Sequence, residues 1–392
     1  MKYVVLIVCA AGLAFGFQSG SGTSEDPYII SNAEELLEVN SDLSACYKLS
    51  TDLSLSEASP AILAPDTAPE DSSFTGEAFT GIIFGSGHTI SGADISADSQ
   101  YYCGLFGFIE EGGQVLNLRV RGSLTASGTV GYAALIAGRN KGVISGCSVN
   151  ADLSLSTQTS YTGFITGSNE GSIMRCRSEG SCLGGMQNIG GIAGYSTSDA
   201  AFADCLSRAV FDLSGNPNYV GGISGYCFSD ISNSFYNGSF QNSAHADKFG
   251  SITGKANDAS ITGCRWSESA GCQSYTGESH STNPQNTFML EESELGIRAS
   301  YAGWDILRES VNGVSEIWRI TPQGAKLYHS GIFEDFNKDG AVDIKDFAIL
   351  AQYFPINHQS QTGLAVPCDG NFDGLLNLSD LIDFAESWLT GE

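Results

Sequence analysis

One motif recurs at an almost constant interval through the middle of this chain. It has the form Ile/Val-x-x-Cys, and its last position falls at Leu118, Cys147, Cys176, Cys205, Ser234 and Cys264, in steps of 29, 29, 29, 29 and 30 residues. A second block alternates with it, small and ending in glycine: CGLFG at Gly107, AALIAG at Gly138, GFITG at Gly167, GGIAG at Gly194, GGISG at Gly225 and GSITG at Gly254. A unit of about 29 residues cannot bury an apolar face alone, so the units must stack. Within a unit the apolar residues are β-branched or small and alternate, as at Val143, Ile144, Cys147 and Val149. That pattern favours strands, and no unit holds an amphipathic run of helical length. Asn140-Lys-Gly142 and Asn169-Glu-Gly171 mark corners. The fold expected is mainly β, a parallel β-helix (β-solenoid) of about six coils with end caps. Rungs lie about 4.8 Å apart, so six make a rod on the order of 30 Å long.

An inward slot that accepts Leu, Cys and Ser wants a small, mostly apolar filler, and buried free thiols fit it. In-register neighbours suit a disulfide torsion poorly. Cys46, Cys103, Cys182, Cys227 and Cys272 lie outside the column, and a disulfide among them stays open. At the start, Ser31-x-x-Glu34 reads as a capping box opening a short helix with Leu36, Leu37 and Val39 as its apolar face. At the far end, the aromatics around Trp304 and Trp318 are expected to close the rod.

The ends of the chain differ in chemistry. Residues 1–17 carry one Lys and then an apolar run, which reads as a signal peptide cut between Ala14 and Gly20. Export to the cell surface or beyond is therefore expected, with no membrane span after cleavage. Formal net charge is −26, which argues against nucleic acid and anionic lipid as partners. From Ile332 onward there are eleven Asp/Glu against two Lys. Two twelve-residue loops lie there, 335–346 and 369–380, each with oxygen-bearing residues at positions 1, 3, 5, 9 and 12 and Gly at position 6. Ca²⁺ takes six to eight oxygens, and loops of this spacing deliver them. The expected ligands are Asp335, Asn337, Asp339, Asp343 and Asp346, with the Ala341 carbonyl at position 7. In the second loop they are Asp369, Asn371, Asp373, Asn377 and Asp380, with the Leu375 carbonyl. Two Ca²⁺ ions are thus the expected cofactors, and their binding energy is folding energy for so small a module. An apolar run follows each loop, from Phe347 and from Leu381.

Two resemblances rest on these residues. The opening GTSEDPYIIS, the run from Phe79 through His88 to Gly92, the GG-I-x-G blocks and the closing GWDI and IW resemble the GLUG-repeat family of secreted bacterial proteins over roughly 21–328. That resemblance implies a right-handed parallel β-helix at the cell surface or beyond, without defined catalytic residues. Residues 332–392 resemble dockerin type I duplicated segments, which implies docking to a cohesin-like domain on a partner protein. Loop positions 10 and 11 carry much of that recognition in dockerins; here they are Ile344-Lys345 and Leu378-Ser379. The expected organisation is 1–17 signal peptide, 18–278 solenoid with its N-terminal cap, 279–330 C-terminal cap and 331–392 dockerin-like domain.

Two functions compete. One is an exported non-catalytic solenoid of surface, adhesion or carbohydrate-contacting type, attached through its calcium module. The other is a polysaccharide-degrading enzyme, hydrolase or lyase, delivered by that module. Hydrolysis needs two carboxylates at a set separation. At steps of 29 residues Glu170 and Asp199 align, with Asp258 further on, but Lys141 shares the column, which favours a solvated face. Tyr132, Tyr161, Tyr195, Tyr219 and Tyr226 flank the glycine blocks and could contact a polysaccharide.

Overall fold

The structure is a computed structural model. It describes residues 16–17, 19–55, 63–68, 71–155, 159–184, 187–212, 217–241, 248–280, 282, 284–306 and 317–327, with the single positions 344, 347 and 348. The first fifteen residues of the expected signal peptide, 1–17, and all twelve expected calcium ligands lie outside the described residues.

The chain winds as a parallel β-solenoid of six coils with four walls each. One coil runs Gln114–Leu116 in wall 1, Arg119–Ser127 in wall 2, Val130–Ala133 in wall 3 and Ala137–Asn140 in wall 4. The next repeats it as Val143–Ser145, Ser148–Leu155, Thr159–Gly163 and Thr166–Asn169. Wall 1 has nine strands, wall 2 ten, wall 3 six and wall 4 seven. The ladder continues through Thr276–His280 and Phe288–Leu290, past residue 278.

The Cys column sits at the corner from wall 1 to wall 2, and Leu118, Cys147, Cys176, Cys205, Ser234 and Cys264 are all fully buried. The thiols are free, as are those of Cys46, Cys103, Cys182, Cys227 and Cys272. Each column thiol also meets backbone carbonyls. Cys147 Sγ donates to Val115 O and Ser145 O at 3.4 Å. Cys176 Sγ meets Ile144 O at 3.5 Å and Met174 O at 3.3 Å. Ser234 does the same with its hydroxyl to Ser232 O at 2.9 Å, and also accepts from Cys205 N. The slot therefore selects a small weak donor as well as a small apolar filler. The residue just before it turns the corner in the left-handed region: Asn117 (φ 51°), Gly146 (66°), Arg175 (53°), Asp204 (54°), Asn233 (46°) and Gly263 (68°). At the corner after wall 4, Asn140 and Asn169 are fully buried and stacked, with Asn140 Nδ2 donating to Asn169 Oδ1 at 2.8 Å. Each carbonyl oxygen accepts from the glycine two residues on, so the turn chemistry read from the sequence points into the core.

Both caps differ from the sequence reading. The first helix is Ala33–Glu38, capped by Asn32, whose side chain accepts from Glu35 N at 2.8 Å. Glu35, not Glu34, reaches back to accept from Ser31 N and Ser31 Oγ, so the box is shifted by one residue. Leu36 and Val39 enter the core, whereas Leu37 is exposed. At the other end, the antiparallel hairpin Trp318–Thr321/Gly324–Leu327 does not close the rod. It packs along the flank where wall 1 meets wall 2. Trp304 Nε1 donates to Gly263 O at 2.6 Å, Trp318 Nε1 to Asp204 Oδ1 at 3.1 Å and Asn237 Nδ2 to Gln323 O at 3.1 Å. The reason lies in one outward column of wall 2. It reads Arg119, Ser148, Arg177, then Leu206, Phe235, Arg265 and Phe288. Where it becomes apolar, Leu206 and Phe235 form a second core with Tyr301, Trp304 and Trp318.

Candidate functional site

The corner between wall 3 and wall 4 is re-entrant, because the two walls touch there backbone to backbone. The last glycine of each small-residue block makes this possible. A Cβ on Gly167 would lie 2.5 Å from Ala133 N, and one on Gly194 only 2.3 Å from Thr162 N. Side chains that point outward from the two walls therefore converge instead of splaying apart.

Two outward columns line this cleft. Wall 3 contributes Tyr102, Tyr132, Tyr161, Asn188 and Tyr219 in register. Wall 4 contributes Phe108, Arg139, Ser168, Tyr195, Tyr226, Lys255 and Glu278. A continuous aromatic path crosses from one column to the other. Ring centroids lie 5.4 Å apart for Tyr102–Tyr132 and for Tyr132–Tyr161, 5.1 Å for Tyr161–Tyr195 and 5.9 Å for Tyr195–Tyr226. The crossing follows from side-chain size. Where wall 4 holds the small Ser168, 1% exposed, wall 3 holds Tyr161, and where wall 3 holds Asn188, wall 4 holds Tyr195. Tyr101, Tyr219 and Phe228 extend the strip, and Phe74 packs on Tyr102 and Phe108.

The charges beside the strip are paired. Arg139 binds Glu170 with two hydrogen bonds, at 2.5 and 2.8 Å, and lies over the Phe108 ring. The bond to Glu170 pushes the Arg139 pKa up. Lys141 pairs with Glu110 at 3.2 Å and Lys255 with Glu278 at 2.9 Å. Lys255 also lies over the rings of Tyr219 and Tyr226. Its hydrogen bond, with that of Tyr219, holds the Glu278 carboxyl below the usual range. Burial raises the pKa of Tyr132, Tyr161 and Tyr195, so their phenols stay protonated. Among the described residues those three hydroxyls have no protein partner. Asn188 Oδ1 is buried and also lacks a donor.

The structure brings together the five tyrosines named from the sequence. It does not bring together the carboxylates. Asn169 pairs with Ser196, so Glu170 is followed in register by Thr197 and not by Asp199. The corner there is two residues longer, a change that the constant Cys spacing hides. Asp199 and Asp258 are exposed at turns, and Glu170 is held by Arg139. His88 is a corner residue, bound to Asp52 at 3.1 Å. Phe74, Tyr101, Tyr102, Phe108 and Phe228 were missed; only Tyr102, one period before Tyr132, carried a repeat signal. Among the described residues no group of three or more His, Cys, Asp or Glu side chains is placed to hold a metal ion, and no helix is long and apolar enough to cross a membrane.

No protein-family model matches the chain. A protein described as a Gly-rich membrane protein, from Evansella cellulosilytica, is 36% identical over 137 residues, 34% of this chain and 15% of that protein. Halomucin from Haloquadratum walsbyi is 30% identical over 133 residues, 32% of this chain. The chain thus spans 15% and 1% of the length of these relatives. The crystal structure of a protein described as an immunoglobulin A1 protease, from Bacteroides ovatus, superposes with a TM-score of 0.51 at 20% identity, over 76% of this chain and 94% of that one. An IgA1 protease structure reaches a TM-score of 0.42 at 18% identity, over 66% of this chain and 21% of that one. The first of these structures shares the β-solenoid fold with this chain.

Proposed function

We propose that this chain is an exported, non-catalytic β-solenoid that makes surface contacts through its tyrosine cleft. In this reading a dockerin-like module, residues 331–392, folds around two Ca²⁺ ions and fastens the rod to a cohesin-like partner. The observation that carries the contact role is the aromatic strip, which follows the rungs along an open flank. Such strips of large, stiff, amphipathic side chains suit binding at low entropic cost. The carboxylates nearest to it, Glu110, Glu170 and Glu278, are engaged by Lys141, Arg139 and Lys255. A general acid with a raised pKa beside a free base is what hydrolysis would need, and the described residues of the strip do not offer that pair. Attachment rests on the two oxygen-rich loops of the sequence.

The test is fractionation of the cells that export the full-length chain, with and without EGTA, combined with an assay for reducing ends. The expected result is protein retained at the surface, released by EGTA, with no sugar liberated. Polysaccharide turnover that disappears on Glu170→Gln would overturn the non-catalytic reading. Retention indifferent to both EGTA and loss of residues 331–392 would overturn the attachment.

A further inference from the structure

Resting on the contact reading, we propose that the tyrosine cleft binds a neutral polysaccharide lying along the rod axis. Three observations converge on this class of ligand. The first is period. Successive rings from Tyr102 to Tyr226 stand 5.1 to 5.9 Å apart. An extended peptide presents same-side groups every second residue, about 6.6 to 6.8 Å, and drifts out of step within a few coils. A chain of equatorially linked hexopyranoses offers one hydroxyl-bearing ring at close to the rung interval.

The second is hydrogen bonding. The hydroxyls of Tyr132, Tyr161 and Tyr195 have no protein partner among the described residues and stay protonated, so each can donate and accept. A ligand rich in hydroxyls satisfies these phenols; the Asn188 carbonyl oxygen in the same column is buried and takes no part in the contact. The stacked pairs Tyr102–Tyr132 and Tyr132–Tyr161 have interplanar angles of 27° and 15°, so these rings turn their faces to one another. The ligand therefore meets ring edges and hydroxyls there, while Tyr195, tilted by 52° against Tyr161, breaks the stack.

The third is charge. The ions around the strip neutralise one another in pairs, on a chain of net charge −26. Among the described residues a polyanion finds Arg139, Lys141 and Lys255 already paired at the strip, and it is repelled by the net charge of the whole molecule. A neutral polymer faces neither obstacle.

Affinity electrophoresis of the full chain tests this, with soluble mixed-linkage β-glucan, xyloglucan and glucomannan in the gel and polygalacturonate as the anionic probe. At least one neutral polymer should retard the wild type, and polygalacturonate should not. The triple variant Tyr132→Phe/Tyr161→Phe/Tyr195→Phe keeps the rings and their packing, and its melting temperature reports that it is folded. Its affinity by isothermal titration should fall tenfold or more. Absence of retardation by every neutral polymer, equal binding of polygalacturonate, or an unchanged affinity in the triple variant would each overturn the proposal. Surface retention is scored separately by cell fractionation. A chain that is retained and released by EGTA yet binds no glycan removes this inference and leaves the attachment standing.

Discussion

At the scale of residues, burial decides the chemistry of the cysteines. It pushes Cys103, Cys182, Cys205 and Cys264 up to about 12, and Cys176 well above its ordinary value. A thiol reacts as its thiolate. The buried thiols should therefore resist Ellman's reagent at pH 8 in the native chain and react at once in guanidinium. Rapid native reaction of more than one or two thiols would contradict the packed column. The glycines of the cleft act through shape. Gly194→Ala forces a methyl into backbone at 2.3 Å and should cost about 3 kcal/mol, read as a lowered melting temperature. Glu278 gives a pH signature. Its folded pKa lies below the ordinary carboxylate value, so its bond to Lys255 helps the fold above that value. The contribution is lost as pH falls through the depressed one. Carbon-detected NMR of the Glu278 carboxyl should show a midpoint below that of a model glutamate, and a midpoint above it would contradict the ion pair.

At the scale of elements, the coils were legible in the sequence because each obeys the same constraint at the same interval. The Cys column and the corner residues Asn140 and Asn169 fell where the period put them, whereas the glycine blocks kept their order but stepped by 27 residues from Gly167 to Gly194 and by 31 to Gly225. What the period could not show is a compensated change. Between Leu183 and Asn188 the loop from wall 2 to wall 3 is two residues shorter than in the preceding coil, and the corner after Ser196 is two residues longer, so the Cys spacing hides the shift that separates Glu170 from Asp199. Nor could it show that the outward wall 2 column turns apolar at Leu206 and Phe235 because a distant hairpin covers it. The cleft was half visible: its tyrosines stood out, but their convergence depends on a corner bent inward. The flank hairpin yields a prediction. Phe235→Ala removes a fully buried ring beneath it and should cost about 3–5 kcal/mol. Fluorescence of Trp304 and Trp318 should shift to the red at lower denaturant than in the wild type. Loss of stability without that shift would mean that the tryptophans do not report the flank.

At the scale of the whole molecule, the parts fall on different sides. The hairpin that precedes the acidic tail docks where walls 1 and 2 meet, and the cleft opens where walls 3 and 4 meet. The chain visits the walls in the order 1, 2, 3, 4, which sets those two corners opposite each other in the coil. The hairpin thus leaves the cleft free for contact. In the tail, calorimetric titration of the full chain with Ca²⁺ should show two sites, and Asp335→Ala/Asp369→Ala should abolish both; heat unchanged in that variant would contradict the loop assignment. The central claim is that contact is made at the tyrosine strip. Hydroxyl-radical footprinting of the full chain, free and bound to cell-wall material of its source organism, tests this most directly. Tyr132, Tyr161 and Tyr195 should lose reactivity on binding while Tyr28 and Tyr275, outside the strip, keep theirs. Protection elsewhere with those three unchanged would contradict the account.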